Sequence, residues 1–301
     1  MDNTSSRALA LPLQAVLASI AIHALWGGNP VAVKLGLTVF PPMWSAFVRF
    51  FIATIFVVLW ARYQGISIWP RKGYLVTLLI IGSTFTVQIT VMNIGFSLTS
   101  GTVASILQST NPLFVALFAH FMISGDRLDL RKVTGLVLSF VGVALVLLKS
   151  TGLESIGVIG IGGFIVLASS MLLGLRLVLM VKPLRALDEV PVVFWMMVTG
   201  LAPFAAGGLL FETVHWENLG WIPVAGLLYQ GVVIAGLGFL VFSYLMKRYS
   251  PSIVASFNFV SPLSGVLLSM LLLGDELTAS ILFGVVFVGA GLYLIAGRRT
   301  G

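Results

Sequence analysis

The chain has no cysteine. Disulfide scaffolds and Cys-ligated metal sites are therefore excluded. It is also short of charge: Asp, Glu, Lys and Arg make up 9% of its 301 residues, against about 25% in ordinary soluble domains. The 27 charged side chains cannot cover the surface of a soluble globule of this length. No basic patch interleaved with aromatics marks a nucleic-acid surface. No Gly-rich loop ending in Lys-Ser or Lys-Thr marks a nucleotide phosphate site. What remains is apolar. Hydrophobic residues reach 58% and mean hydropathy is +1.08, so lipid is the expected solvent.

A helix that crosses a bilayer needs about 20 apolar residues. Charge-free runs occupy residues 8–33, 73–125, 155–175, 190–211, 218–246, 249–274 and 277–297. Two more candidates are 43–61, which contains Arg49, and 133–148, which lies between Lys132 and Lys149. The long run 73–125 fits two helices divided by a turn within Asn93–Gly101. The expected spans are approximately 11–38, 43–61, 73–95, 99–122, 132–149, 155–180, 190–211, 221–246, 251–273 and 278–297. Residues after Arg7 continue into further apolar segments, so the first run reads as a retained span rather than a cleaved signal. The runs are too long and too uniform for a β-barrel, whose strands alternate over roughly ten residues.

Cation placement orients the spans. With a cytoplasmic N-terminus, 13 of the 17 Lys and Arg residues fall on the cytoplasmic side and only Lys149 on the other. The net charge of +7 is thus largely a topology signal, and both termini are expected in the cytoplasm.

The halves resemble each other. Asn111-Pro112 precedes Gly125-Asp126, and Ser261-Pro262 precedes Gly274-Asp275-Glu276, offset by 150 at the proline and 149 at the glycine. Gly135 and Gly142 match Gly284 and Gly291 at an offset of 149, while Lys34 and Pro41 match Arg176 and Pro183 at 142. An odd number of spans per half inverts the second half. The expected fold is an all-α integral membrane protein with ten transmembrane helices in two inverted five-helix repeats, residues 1–150 and 151–301, as in secondary transporters.

Several residues inside spans stand out. Glycines at seven-residue spacing keep one helix face and allow close packing in lipid. Pro30, Pro112 and Pro262 free backbone groups at depth, which predicts helix kinks and either a purely structural or a path-shaping role. Lys34, Arg49 and Arg176 are the intramembrane cations. They are expected near helix ends, as interface anchors or as groups that gate a mouth or neutralise a substrate carboxylate. Polar residues at depth nominate a pocket of His23, Trp26, Gln88, Gln108, Tyr229, Gln230 and Asn258. Each could equally be an interhelical contact. No Asp or Glu lies within an expected span, and His23 is the one histidine near a span centre. Proton relays commonly use intramembrane carboxylates, so uniport is expected, with coupling through His23 as the alternative. Trp44, Trp60, Trp69, Trp216 and Trp221 fall where interfacial belts form.

Trp26-Gly27 to Lys34, Arg49, the Asn111-Pro112 and Ser261-Pro262 helices and the Gly-Asp-Glu at 274–276 resemble the drug/metabolite transporter superfamily, in its EamA branch. Asp126 departs from the family pattern, where Glu is commoner. The resemblance covers nearly the whole chain. It implies a secondary transporter without enzymatic activity, cofactor or metal, located in a bacterial inner membrane. Within that branch the chain resembles bacterial exporters of amino acids, including aromatic ones. Alternating access is implied, with a small-molecule substrate and the bilayer as partners and no nucleic acid, and a monomer is compatible with it. A proton-coupled exporter of drugs or other metabolites and a channel-like protein are the alternatives.

Overall fold

A computed structural model describes residues 11–99, 107–151, 160–265 and 279–296. Helix α1 (Leu13–Gly27) breaks at Gly28 and resumes as α2 (Asn29–Leu37). Then follow α3 (Pro42–Gln64), α4 (Leu75–Ser97), α5 (Asn111–Met122), α6 (Leu130–Thr151), α7 (Ile161–Ala186) and α8 (Glu189–Phe211). The long helix α9 (Trp221–Arg248) is wound as π-helix over Tyr229–Gly238. Helix α10 (Pro251–Ser256) passes through a 3₁₀ turn, Phe257–Phe259, into helical residues 260–265. The last helix is α11 (Ala279–Ala296). Among the described residues there is no β-strand.

Proline and glycine set several of these limits. Pro42 occupies the first turn of α3, where a missing N–H breaks no bond. Gly65, at φ 66°, ends α3 in a left-handed cap that returns its N–H to the Ala61 and Arg62 carbonyls. Five helices among the described residues, α3, α4, α7, α8 and α9, are long and apolar enough to cross a membrane. A helix of 23 residues rises about 34 Å, against a hydrocarbon core of roughly 30 Å. The molecule is thus a multi-pass helical bundle.

The turn expected from Asn93 begins later. Helix α4 continues to Ser97, and Asn93 is buried within it, its amide donating to the Pro42 carbonyl at 2.9 Å. The second Gly-acid pair, at 274–276, lies outside the described residues, as do Arg7 and residues 100–106.

Helix pairing has a pseudo-two-fold pattern. Helix α3 packs on α8, and α6 on α11. The α4–α7 contact has its counterpart where α1 and α2 meet α9, and the α5–α7 contact where α1 meets Phe257–Phe259. The matched glycines lie at the α6–α11 contact. A Cβ on Gly135 would sit 2.7 Å from the Gly291 carbonyl oxygen, and one on Gly142 would sit 2.9 Å from that of Gly284. Only glycine permits this approach of two backbones, which is how helices gain contact where apolar burial gives no advantage over lipid. The central core is built from Phe50, Leu78, Ile81, Phe85, Met196, Met197 and Phe204, all at most 1% exposed.

Each end of the bundle is tied by polar contacts. At one end, Asp126 takes the Lys132 ammonium at 2.5 Å and the Ser252 backbone N–H at 3.0 Å, together with the Ser252 hydroxyl. Lys247 lies 3.5 Å from Asp188 and 3.6 Å from Glu189. At the other end, the Glu212 carboxylate accepts the backbone N–H groups of Met43, at 2.8 and 3.0 Å, and of Trp44, at 3.0 Å. These are donors that the first turn of α3 would otherwise leave open.

Candidate functional site

A cavity of about 160 Å³ lies among α1, α4, α5, α7, α8, α9 and α10. Drug-sized pockets run from roughly 300 to 1,000 Å³, so this one suits a small solute. Irregular backbone collects around it. Helix α1 breaks just past Trp26, residues 109–110 form a turn ahead of α5, the π segment contributes Ile234, and the 3₁₀ turn contributes Asn258. Non-helical backbone at membrane depth is tolerated where protein satisfies it or a cavity adjoins it.

The freed carbonyls find donors. Ser170 donates to the Leu107 carbonyl at 2.9 Å, and the Asn111 amide to that of Gln108 at 3.1 Å. Ser261 donates to the His23 carbonyl at 2.8 Å and Ser264 to that of Ala24 at 2.9 Å. The Trp26 indole reaches the Ile234 carbonyl of the π segment at 3.3 Å. Pro30 and Pro112 each sit in the first turn of a helix that resumes after a break. Pro262 lies in residues 260–265, just past the 3₁₀ turn. At all three, the interruption is a restart of the helix rather than a bend within it.

Of the pocket residues expected from sequence, His23, Trp26, Gln88, Gln108 and Asn258 line this cavity. Tyr229 and Gln230 do not. The Tyr229 hydroxyl donates to the Leu25 carbonyl at 2.5 Å, and the Gln230 amide donates to that of Ala32 at 2.8 Å. They tie α9 to carbonyls on either side of the α1–α2 break.

The intramembrane cations separate as well. Arg49 is buried off the cavity, its Nη1 donating to Gln230 Oε1 at 3.3 Å and its guanidinium 4.5 Å from the Phe50 ring centre. The Lys34 side chain lies outside the described residues. Arg176 was expected near a helix end, but α7 runs on to Ala186. Arg176 is 5% exposed and lines the cavity. Neither described arginine snorkels to an interface.

The cavity has two characters. Trp26, Phe239, Phe242 and Ile234 make an apolar, largely aromatic side, with His23 between them at 4.9 Å from Trp26 and 5.8 Å from Phe242. Gln88, Gln108, Asn111 and Arg176 make a polar side. Among the described residues, some polar atoms there lack a partner. His23 Nδ1 lies 2.7 Å from the Ser19 carbonyl, which can only accept, so Nδ1 carries hydrogen and Nε2 is left open. Gln88 donates to Ser169 at 3.3 Å and leaves Oε1 open. Arg176 Nε is also unpartnered. Among the described residues, no Asp or Glu lines the cavity, and no three His, Asp or Glu residues gather as a metal site. The sequence offered no sign of Met196, which meets Arg176 from α8, or of the π turn, whose glycines read as packing positions.

A model of the EamA-like transporter family matches residues 13–148 and again 160–297. A Salmonella typhimurium protein described as a "probable amino-acid metabolite efflux pump" is 25% identical over 284 residues, covering 92% of each chain. The Escherichia coli inner membrane transporter YedA, itself uncharacterized, is 26% identical over 307 residues, covering 96% of this chain and 94% of its own. A solved crystal structure superposes with a TM-score of 0.80 at 19% identity, over 93% of this chain and 96% of that one, and supports the fold.

Proposed function

The chain belongs to the EamA-like transporter family, a secondary transporter of small molecules embedded in the membrane, and from that premise we propose that it exports amino acids, aromatic ones among them. The observation that carries this reading is the mid-bundle cavity with an aromatic side, a polar side and an arginine whose partners among the described residues are sulfur atoms and a ring. A zwitterion with an apolar side chain matches that division. The Salmonella relative, described as an amino-acid metabolite efflux pump, agrees with it.

In this proposal ten helices form two inverted five-helix halves, 1–150 and 151–301, in a bacterial inner membrane with both termini cytoplasmic. The halves rock about the cavity and expose it to each side in turn. His23, Trp26, Gln88, Gln108 and Asn258 bind substrate. Lys34 and Arg49 gate, and the helix restarts at Pro30, Pro112 and Pro262 shape the path. Asp126 and Glu212, which tie opposite ends of the bundle, are the contacts that opening must release.

Transport is a uniport, because no carboxylate lines the cavity among the described residues to carry a proton. A second reading, proton coupling, is favoured by the open Nε2 of His23. Counterflow in proteoliposomes tests the main reading: vesicles preloaded with an unlabelled amino acid should accumulate its labelled form from outside. No exchange of any amino acid would overturn the substrate assignment. An imposed pH gradient should leave net flux unchanged. A response that His23→Gln abolishes would establish coupling instead.

A further inference from the structure

We infer that Arg176 receives the substrate's carboxylate, and that the cavity requires this group while the amino group is dispensable. The inference rests on the transport reading above and narrows its substrate to monocarboxylates with an apolar or aromatic body.

Arg176 is a buried cation with poor partners. Its Nη1 meets the Met196 sulfur at 2.8 Å and the Met180 sulfur at 3.6 Å, and its guanidinium lies 5.1 Å from the Phe85 ring centre. Thioether sulfur is a weak acceptor. Buried charges are ordinarily paired with an opposite charge or well hydrogen-bonded. Among the described residues, Nε has no hydrogen-bond partner and no carboxylate lines the cavity. A planar guanidinium matches a carboxylate in two parallel hydrogen bonds, and a substrate carboxylate that displaced the Met196 sulfur from Nη1 would put a charged acceptor in place of a weak one. Arg49, whose Nε and Nη2 also lack partners among the described residues, does not line the cavity and so cannot serve this role.

The ammonium of an amino acid finds a different reception. The acceptors beside the cavity, His23 Nε2 and Gln88 Oε1 among them, are uncharged when they accept. They can hydrogen-bond an N–H group but do not compensate a full charge as a carboxylate would. The site therefore selects strongly for the anionic group and weakly for the cationic one.

Four solutes of one shape separate these terms: phenylalanine, 3-phenylpropanoate, phenylalanine amide and phenethylamine, with uridine as an uncharged metabolite. Each is preloaded into proteoliposomes and offered outside in labelled form near neutral pH, with leak through protein-free vesicles subtracted. Phenylalanine and 3-phenylpropanoate should exchange, and the amide and the amine should not. Arg176→Met should raise the half-saturating concentration of both acids on the order of a hundredfold, with Arg176→Lys intermediate. Melting temperature reports whether each variant folds. If the Met variant does not fold, the wild-type series and the Lys variant still decide. Exchange of the amide or amine as fast as the acids, or undiminished exchange of the acids by Arg176→Met, would overturn the inference. Exchange of uridine alone would leave a small-molecule transporter and remove its carboxylate preference. Exchange of none of the five would remove the amino-acid reading itself, and this inference with it.

Discussion

Replacing Asp126 by alanine should destabilise the bundle by about 3 kcal/mol. The carboxylate side chain is 3% exposed and its partner Lys132 13%. It joins the turn after α5 to the first turn of α10, across 126 residues of sequence. Truncating one member of a buried ion pair costs about 3–5 kcal/mol, chiefly by stranding the other. Lys132 keeps some water and the Ser252 hydroxyl at 3.2 Å, which places the loss at the lower end. At about 2 °C per kcal/mol for a chain of this size, the melting midpoint in nanodiscs should fall by about 6 °C. Asp126→Asn keeps an acceptor for the Ser252 N–H and should lose about half as much. A double-mutant cycle with Lys132→Met should show coupling of about 1–3 kcal/mol.

The pH dependence carries a definite sign. Burial by itself raises the Asp126 carboxyl, but the Lys132 charge and hydrogen bonds from Lys132 and Ser252 outweigh it and hold the group below 3.8. A folded value below the unfolded one means the stabilisation is complete above the unfolded value and is lost only as pH falls through the folded one. The gap between wild type and Asp126→Ala should therefore stay constant from about pH 8 to about pH 5. A loss under about 1 kcal/mol, additive effects with Lys132→Met, or a gap that closes within that pH range would refute the reasoning.

Gly135→Leu places a side chain where its Cβ already lies 2.7 Å from the Gly291 carbonyl, and should cost about 1–3 kcal/mol in the same melting assay by forcing α6 from α11. Glu212→Ala opens the first-turn N–H groups of Met43 and Trp44 and should cost about 1 kcal/mol. Tyr229→Phe removes the hydrogen bond to the Leu25 carbonyl and should cost about 1 kcal/mol, while shifting the half-saturating substrate concentration in counterflow less than Gln88→Ala does.

Hydropathy showed the depth of each residue but not its direction. Five spans were legible because each is a long apolar run, and α3 began at Pro42 and ended at Gly65 for reasons local to the chain. Whether a polar residue faces the cavity depends on which side of its helix it occupies. Helices that meet lipid on one face and protein on the other are apolar all round, so no amphipathic stripe marks the inner face. Tyr229 and Gln230 were therefore indistinguishable from Gln88 and Gln108, although they tie down α1 and α2. Arg176 looked terminal because its helix was expected to end at 180, whereas hydrogen bonding carries it past Lys182 and Pro183 to Ala186. The turn expected within Asn93–Gly101 starts only after Ser97, and Asn93 stays inside α4, its amide bonding a carbonyl of α3, a partner distant in sequence. The matched glycines were more informative. Gly135, Gly142, Gly284 and Gly291 meet at one helix pair, as their spacing on a single face suggested.

The absence of cysteine makes the account's central claim directly measurable. Asn258→Cys introduces one thiol into the wall of the cavity, and a small membrane-impermeant thiol reagent can be offered to oriented vesicles from either side. Alternating access through this cavity predicts labelling from each side in separate experiments, slowed from both by a saturating transported solute. A thiol that reacts from neither side, or whose labelling no transported solute slows, would contradict it.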